Sequence, residues 1–239
     1  MAPTRRSAIV IGALYLTTHV TSVAGLALYG PVLASTAYAD YLAGPGVGGR
    51  ALAGGFLEVV LSLAIVGTGV AFFPVIKRVN EGMALGYAGL RTLEAAIIAV
   101  GVTPLVAAVS LVQSPGGAGR NADLVQTLAS LHNWTFLIGP SFVCGVNTVV
   151  LAAVLLRSGL VPRFIPLLGL AGGPLVFASG LAQMFGLLPQ ASPIAALAAI
   201  PVFAWEVSLA LFLVIRGFRE PAAGPERTPA PGAAEVTAP

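Results

Sequence analysis

Six apolar runs, each long enough to cross a lipid bilayer, dominate the sequence: about Ser7 to Val32, Ala51 to Ile76, Met83 to Val112, Trp134 to Leu156, Phe164 to Leu188 and Pro193 to Ile215. At a rise of ~1.5 Å per residue, roughly 20 apolar residues cross a hydrocarbon core about 30 Å thick. Hydrocarbon offers no water to a bare backbone, so each run must satisfy its own N–H and C=O groups as a helix. Six spans and short connections consume nearly all of the 239 residues. The expected fold is one all-α, polytopic transmembrane bundle over residues 1–220, with no second folded domain.

Composition removes the soluble alternatives. Residues of the set AVILMFWYC make up 57% of the chain and charged residues 9%, against about 25% charged in a soluble domain. Mean hydropathy is +0.93. The basic pI of about 9.4 does not point to nucleic acid, because the basic residues lie at the ends of apolar runs and form no patch. Cys144, the only cysteine, sits within an apolar run and reads as a small core residue. A lone cysteine excludes an internal disulfide and any CxxC metal or redox motif.

Lys and Arg in the short loops set the orientation. If the chain crosses six times, Arg5, Arg6, Lys77, Arg78, Arg157, Arg163, Arg216, Arg219 and Arg227 fall on one side, and only Arg50 and Arg120 on the other. Both termini are therefore expected in the cytoplasm, with the protein in the cell membrane. The first run follows a charged segment as a signal peptide would, but it continues past any small-residue cleavage point near Ala24 to Ala27 and reads as a retained helix.

The loops from Ala34 to Arg50 and from Gln113 to His132 are candidate lids, the second carrying a short amphipathic surface helix over Asn121 to Leu131. From Pro221 onward the chain is rich in Pro, Ala, Gly and Glu, a composition expected to give a disordered tail.

Few strongly polar side chains interrupt the spans: His19, Glu58, Arg91, Glu94, Asn147, Gln183 and Glu206. Each ionisable one costs about 2.5–3.5 kcal/mol at a helix centre, so such residues face a bundle interior and pair there or line a cavity. Arg91 and Glu94, three apart, share one helical face and read equally as a packing ion pair or as part of a site. Three acids against one base would leave two uncompensated negative charges if all ionised. At least one acid is thus expected to carry a proton, because burial disfavours the charged form. Glu58, Glu206, Glu94 and Arg91 are the candidate catalytic residues, and His19, Trp134, Asn147 and Trp205 the candidate substrate-binding residues. Pro104, Pro140, Pro174 and Pro201 interrupt the third to sixth spans, as in membrane proteins whose broken helices flank a site. Two histidines, His19 and His132, do not define a metal or haem site, and neither a metal nor a cofactor is expected.

The stretches Leu90-Arg91-Thr92-Leu93-Glu94-Ala95-Ala96, Leu155 to Arg163 leading into Pro166-Leu167-Leu168-Gly169, and Glu206-Val207-Ser208-Leu209-Ala210-Leu211 before Arg216-Gly217 resemble a bacterial six-helix membrane family known only as a domain of unknown function. That resemblance covers nearly all of the chain except the tail. It implies six helices and a shared site for Arg91, Glu94 and Glu206. In general plan the chain is also similar to small membrane-bound terpene cyclases, which place one acid in an early helix and one in the last. The matching positions would be Glu58 and Glu206. An aspartate-rich prenyl diphosphate motif is absent, which argues against ionisation of a diphosphate.

These features favour a membrane-bound cyclase or isomerase, with Glu206 or Glu58 as general acid protonating an alkene or epoxide of a lipidic or prenylated substrate, and aromatic faces sheltering the cation. A proton-coupled transporter or sensor using the same carboxylates is the alternative, followed by a non-catalytic membrane subunit whose polar residues only pack helices. The expected partners are the lipid bilayer and a hydrophobic small molecule. Nothing in the sequence specifies an oligomeric state.

Overall fold

The computed structural model describes residues 5–33, 37–190 and 192–219, and the expected tail lies outside them. Among these residues there is helix and no strand. The elements are α1 (Arg5–Leu33), α2 (Tyr38–Leu42), α3 (Val47–Ile76), α4 (Glu81–Gln113), α5 (Gly117–Arg120), α6 (Ala122–Leu137), a π-helical segment (Ile138–Val143), α7 (Cys144–Ser158), α8 (Phe164–Met184) and α9 (Pro193–Ile215). Six spans are long and apolar enough to cross a membrane: α1, α3, α4, the continuous stretch Ala122–Ser158, α8 and α9.

Local chemistry sets several boundaries. Asn80 accepts from the Met83 N–H at 2.8 Å and caps α4, and Ser192 does the same for Ala195 at the start of α9, with Pro193 in the first turn. These side chains satisfy amide groups that a helix start leaves unpaired. α7 stops at Gly159, whose φ of 66° suits a residue without a Cβ.

The fourth span differs from expectation. The surface helix anticipated over Asn121 to Leu131 is the first part of the span itself. No Gly or Pro separates Leu131 from Trp134, and Val125 and Ala129 are buried. The helix therefore runs on without a break. Pro140, which has no N–H to donate, sits inside the π-helical segment where this long helix widens.

The spans pack in a ring that follows chain order: α1 on α3, α3 on α4, α4 on α6 and α7, α7 on α8, α8 on α9, and α9 back on α1. Arg5 closes it by donating to the carbonyls of Leu213, Val214 and Ile215 at 3.0, 2.6 and 3.1 Å, groups that a helix end leaves free. The two ends of the described chain thus share one face of the bundle, called here the base. Close approach of α7 and α8 depends on Gly145 and Gly173. A Cβ on either would lie 2.8 or 2.6 Å from the other's carbonyl oxygen, the use of small residues expected between helices in lipid.

The outside of the ring is apolar, with Val20, Phe56, Leu63, Val70, Leu85, Val100, Leu197 and Ile215 all more than half exposed. Between the spans at the base lies a sealed core containing Ile11, Tyr15, Phe72, Ile76, Tyr87, Leu151, Leu155, Ile165, Trp205 and Leu213, none more than 1% exposed. A second core, with Leu42, Leu105, Val109 and Val125, closes the opposite end beneath α2.

Candidate functional site

Two polar clusters lie between those cores, at different heights. Measured along the helices at ~1.5 Å per residue, Arg91, Glu94, Asn147, His19 and Glu206 stand about 14–21 Å from the base ends of their spans, and Glu58 about 27 Å. An apolar layer of Leu61, Ile65, Ala95 and Ile98 separates the two levels.

The lower cluster is organised around Arg91. Its Nε donates to Thr68 Oγ1 of α3 at 2.9 Å and its Nη1 to Glu94 Oε2 at 3.1 Å, while its guanidinium lies 5.2 Å from the centre of the Tyr15 ring. Helical spacing explains why these side chains meet. Tyr87, Arg91 and Glu94 fall at i, i+4 and i+7 on one face of α4, and Tyr15 and His19 at i and i+4 on α1. Asn147 of α7 donates to the same Glu94 Oε2 at 2.6 Å. Glu206 of α9 completes the cluster, its two oxygens 3.7 Å from Arg91 Nη1 and 3.6 Å from His19 Nε2.

His19 Nδ1 lies 2.9 Å from the carbonyl of Tyr15. A carbonyl only accepts, so Nδ1 carries a hydrogen and the second ring nitrogen, Nε2, faces Glu206. In formal charges, the Arg91 guanidinium and the Glu94 carboxylate cancel. The His19 and Glu206 pair is then electrically neutral when it holds one further proton, on either partner.

A cavity of about 190 Å³ opens over this cluster, lined by His19, Arg91, Glu94 and Glu206 on its polar side and by residues including Ile98 and Val202 on its apolar side. Its rim includes Val23 of α1 and Ala199 and Phe203 of α9, all exposed on the outside of the bundle. α1 and α9 come backbone-close at Gly12, where a Cβ would stand 2.7 Å from the Ala210 oxygen. Farther from the base they part: of residues 193–203 in α9 only Val202 is buried. Pro201, one turn before Glu206, deprives the Leu197 carbonyl of its helical partner. The opening is thus a lateral slot at the level of the membrane interior.

The upper cluster joins four helices. Tyr29 of α1 donates to Glu58 Oε1 of α3 at 2.7 Å, and His132 of α6 places Nε2 3.7 Å from the same oxygen while its Nδ1 sits 2.8 Å from the Gly101 carbonyl of α4. Phe136 stacks on His132. Glu58 and His132 are each 1% exposed, and Glu58 Oε2 and His132 Nε2 have no hydrogen-bond partner among the described residues.

The sequence therefore grouped residues that the fold divides. Arg91, Glu94, Glu206 and His19 share the cavity, and Asn147 supports Glu94 from behind. Glu58, expected beside them, belongs to the sealed upper cluster and does not line the cavity. Trp205 points the other way from Glu206, fully buried in the basal core against Gly169, whose added Cβ would stand 2.8 Å from the indole. Trp134 is 41% exposed and lines a separate shallow polar pocket with Ser130, Asn133, Gln183 and Gln190. Gln183 donates to Ser179 on its own helix. Neither expected lid covers the cavity: α2 and α5 pack with α6 over the far end, and α2 joins the core above the upper cluster. Hydroxyl-bearing Tyr29, Thr68, Tyr15 and Tyr87 were not singled out in the sequence, because uncharged hydroxyls do not interrupt an apolar run as charges do. The four-residue spacing of Tyr15 from His19 and of Tyr87 from Arg91 was an available signal, whereas Thr68 and Tyr29 meet their partners only across helices. Among the described residues no group of three or more metal-binding side chains occurs.

A family model described as "Domain of unknown function (DUF4386)" matches residues 10–217. The chain belongs to the DUF4386 family. The match runs from the first turns of α1 to just past α9 and so contains the cavity and both polar clusters of this DUF4386 domain. No curated protein and no solved structure matches the sequence.

Proposed function

We propose that this DUF4386 protein is a membrane-embedded isomerase that moves a proton on the reactive end of a lipid-soluble substrate entering between α1 and α9. The observation that carries this reading is the position of the His19 and Glu206 pair. The two side chains stand 3.6 Å apart, line the cavity and face the slot between α1 and α9, where the pair would share an exchangeable proton. At about 190 Å³ the cavity is smaller than the roughly 300–1,000 Å³ of sites that enclose a whole drug-sized ligand. It admits a reactive group while the rest of the molecule stays in the slot.

In this reading Glu206, with the proton it shares with His19, is the acid or base, a role that contributes about 10²–10⁴-fold in rate. Arg91 sets the charge of the site, and Glu94 and Asn147 hold Arg91 in place. A cyclase building a carbocation is the weaker branch. Its cation would form beside the Arg91 guanidinium, and among the described lining residues Phe203 is the only Phe, Tyr or Trp that could shelter it. Proton-coupled transport needs a path to the base, where the core below Arg91 is fully packed. The distribution of Lys and Arg supports a cytoplasmic base in the cell membrane as part of this reading.

The test is label transfer from solvent. Purified protein in nanodiscs would be incubated in heavy water with total lipid from the source membranes, and lipids would be screened by mass spectrometry for carbon-bound deuterium. Labelling of a lipid species by wild type and its loss in Glu206→Gln is the expected result. No labelling above that of Glu206→Gln would sink the proposal.

A further inference from the structure

Arg91 and Glu94 each have one atom left over. Nε and Nη1 of Arg91 are committed to Thr68 and Glu94, and Glu94 Oε2 accepts from both Arg91 and Asn147. Nη2 of Arg91 and Oε1 of Glu94 have no hydrogen-bond partner among the described residues. Neither is a sealed orphan, since those are confined to Glu58 Oε2 and His132 Nε2. Both residues line the cavity, so the unused atoms open into it. The polar floor therefore offers a fixed cationic donor, Arg91 Nη2, beside an acid–base group, Glu206.

This pairing selects a chemistry by the sign of charge. Preorganised donors accelerate a reaction when charge develops where they point, and a guanidinium favours negative charge. A proton removed from carbon next to a carbonyl leaves that charge on oxygen. A carboxylate or phosphate headgroup would instead bring a full negative charge next to Glu94 and Glu206, with Arg91 already matched. A plain alkene would leave Nη2 without an acceptor, a cost for a donor out of water.

We infer that the cavity takes the carbonyl end of a neutral, lipid-soluble unsaturated ketone, whose oxygen accepts from Arg91 Nη2 while its α-carbon faces Glu206. The inference rests on the proton-transfer reading and names its substrate class. The step balances without a cofactor. With the shared proton on His19, the Glu206 carboxylate takes a proton from the α-carbon of a β,γ-unsaturated ketone, and the C–H electron pair moves into a dienolate held at oxygen by Arg91. The Glu206 carboxylic acid returns a proton to the γ-carbon, giving the conjugated ketone and restoring the carboxylate.

The experiment uses the full chain in nanodiscs and three probes: a decyl-tailed β,γ-cyclohexenone with a carbon-13 carbonyl, the alcohol of the same skeleton, and decylcyclohexene. Infrared difference spectra should show the labelled carbonyl stretch moved to lower frequency by wild type, with a smaller movement for Arg91→Lys, which keeps the charge but loses the fork. Competition on wild type alone should rank the ketone roughly tenfold above the hydrocarbon, a measurement that does not depend on any variant folding. Equal binding of ketone and hydrocarbon, equal binding of the alcohol, or an unmoved carbonyl band would overturn the inference. Appearance of the conjugated ketone reports the proton transfer separately. A shifted carbonyl without conjugation keeps the carbonyl site and removes the isomerase reading. Deuterium entering a membrane lipid while the ketone fails to bind does the reverse.

Discussion

Asn147 donates to Glu94 Oε2 across 2.6 Å although the two residues stand 53 positions apart on different spans. That bond, with the one from Arg91, fixes a carboxylate that is 4% exposed and so holds the Arg91 guanidinium in place.

Removing Glu94 should therefore be costly to the fold. Glu94→Ala strands the Arg91 guanidinium, a change that destabilises a buried pair by about 3–5 kcal/mol. The double variant Arg91→Met with Glu94→Met should recover part of that loss, because no lone charge remains. Unfolding in mixed micelles, followed by circular dichroism for both variants, checks the order. A double variant less stable than Glu94→Ala would contradict it.

Glu206 is expected to behave differently, being paired only at 3.6–3.7 Å and 12% exposed in its side chain. Glu206→Gln should fold near normally and lose proton transfer by roughly 10²–10⁴-fold. Parallel melting curves and deuterium incorporation separate the two effects; a variant that retains full incorporation rules out the acid–base assignment.

The upper cluster gives the opposite expectation. Tyr29→Phe removes the hydrogen bond that Tyr29 donates to the Glu58 carboxyl group and should cost about 1–2 kcal/mol in the membrane while leaving label exchange in the cavity unchanged. Exchange lost in step with Glu206→Gln would show that the two clusters act together, contrary to the apolar layer between them.

Close packing of α7 on α8 leaves no room for a side chain. Gly173→Val should lower the unfolding temperature or abolish expression, because its Cβ would meet the Gly145 oxygen at 2.6 Å. Gly186→Val is not a suitable control, as its φ is positive. Gly86→Ala, with open space around it, should be near neutral, and similar behaviour of Gly86→Ala and Gly173→Val would refute the close contact.

Orientation is open to labelling in intact cells. With Cys144 replaced by Ala, a cysteine at Gln190 should react with a membrane-impermeant maleimide from outside, and one at Ser158 only after permeabilisation. The reverse pattern would invert the topology read from Lys and Arg.

Hydropathy alone determined that this chain is a bundle of six spans, because the cost of exposing backbone and charge to lipid is local and adds along each run. The same local rule picked out Arg91, Glu94 and Glu206, since few charges interrupt those runs. Span limits were less legible. No charge or breaker marks where α6 leaves the surface and enters the membrane, so its outer part read as a separate helix.

Which of the buried residues work together was left to the tertiary structure. Glu58 and Glu206 look alike in sequence, yet the rotation of each helix and the order of packing around the ring send one into a sealed cluster with Tyr29 and His132 and the other into an open cavity. Trp205 and Glu206 are adjacent in the chain, and the ~100° turn per helical residue puts the indole into the basal core and the carboxylate beside His19. Sequence fixes the period of a helix but not its facing, and facing decides what a buried charge can touch.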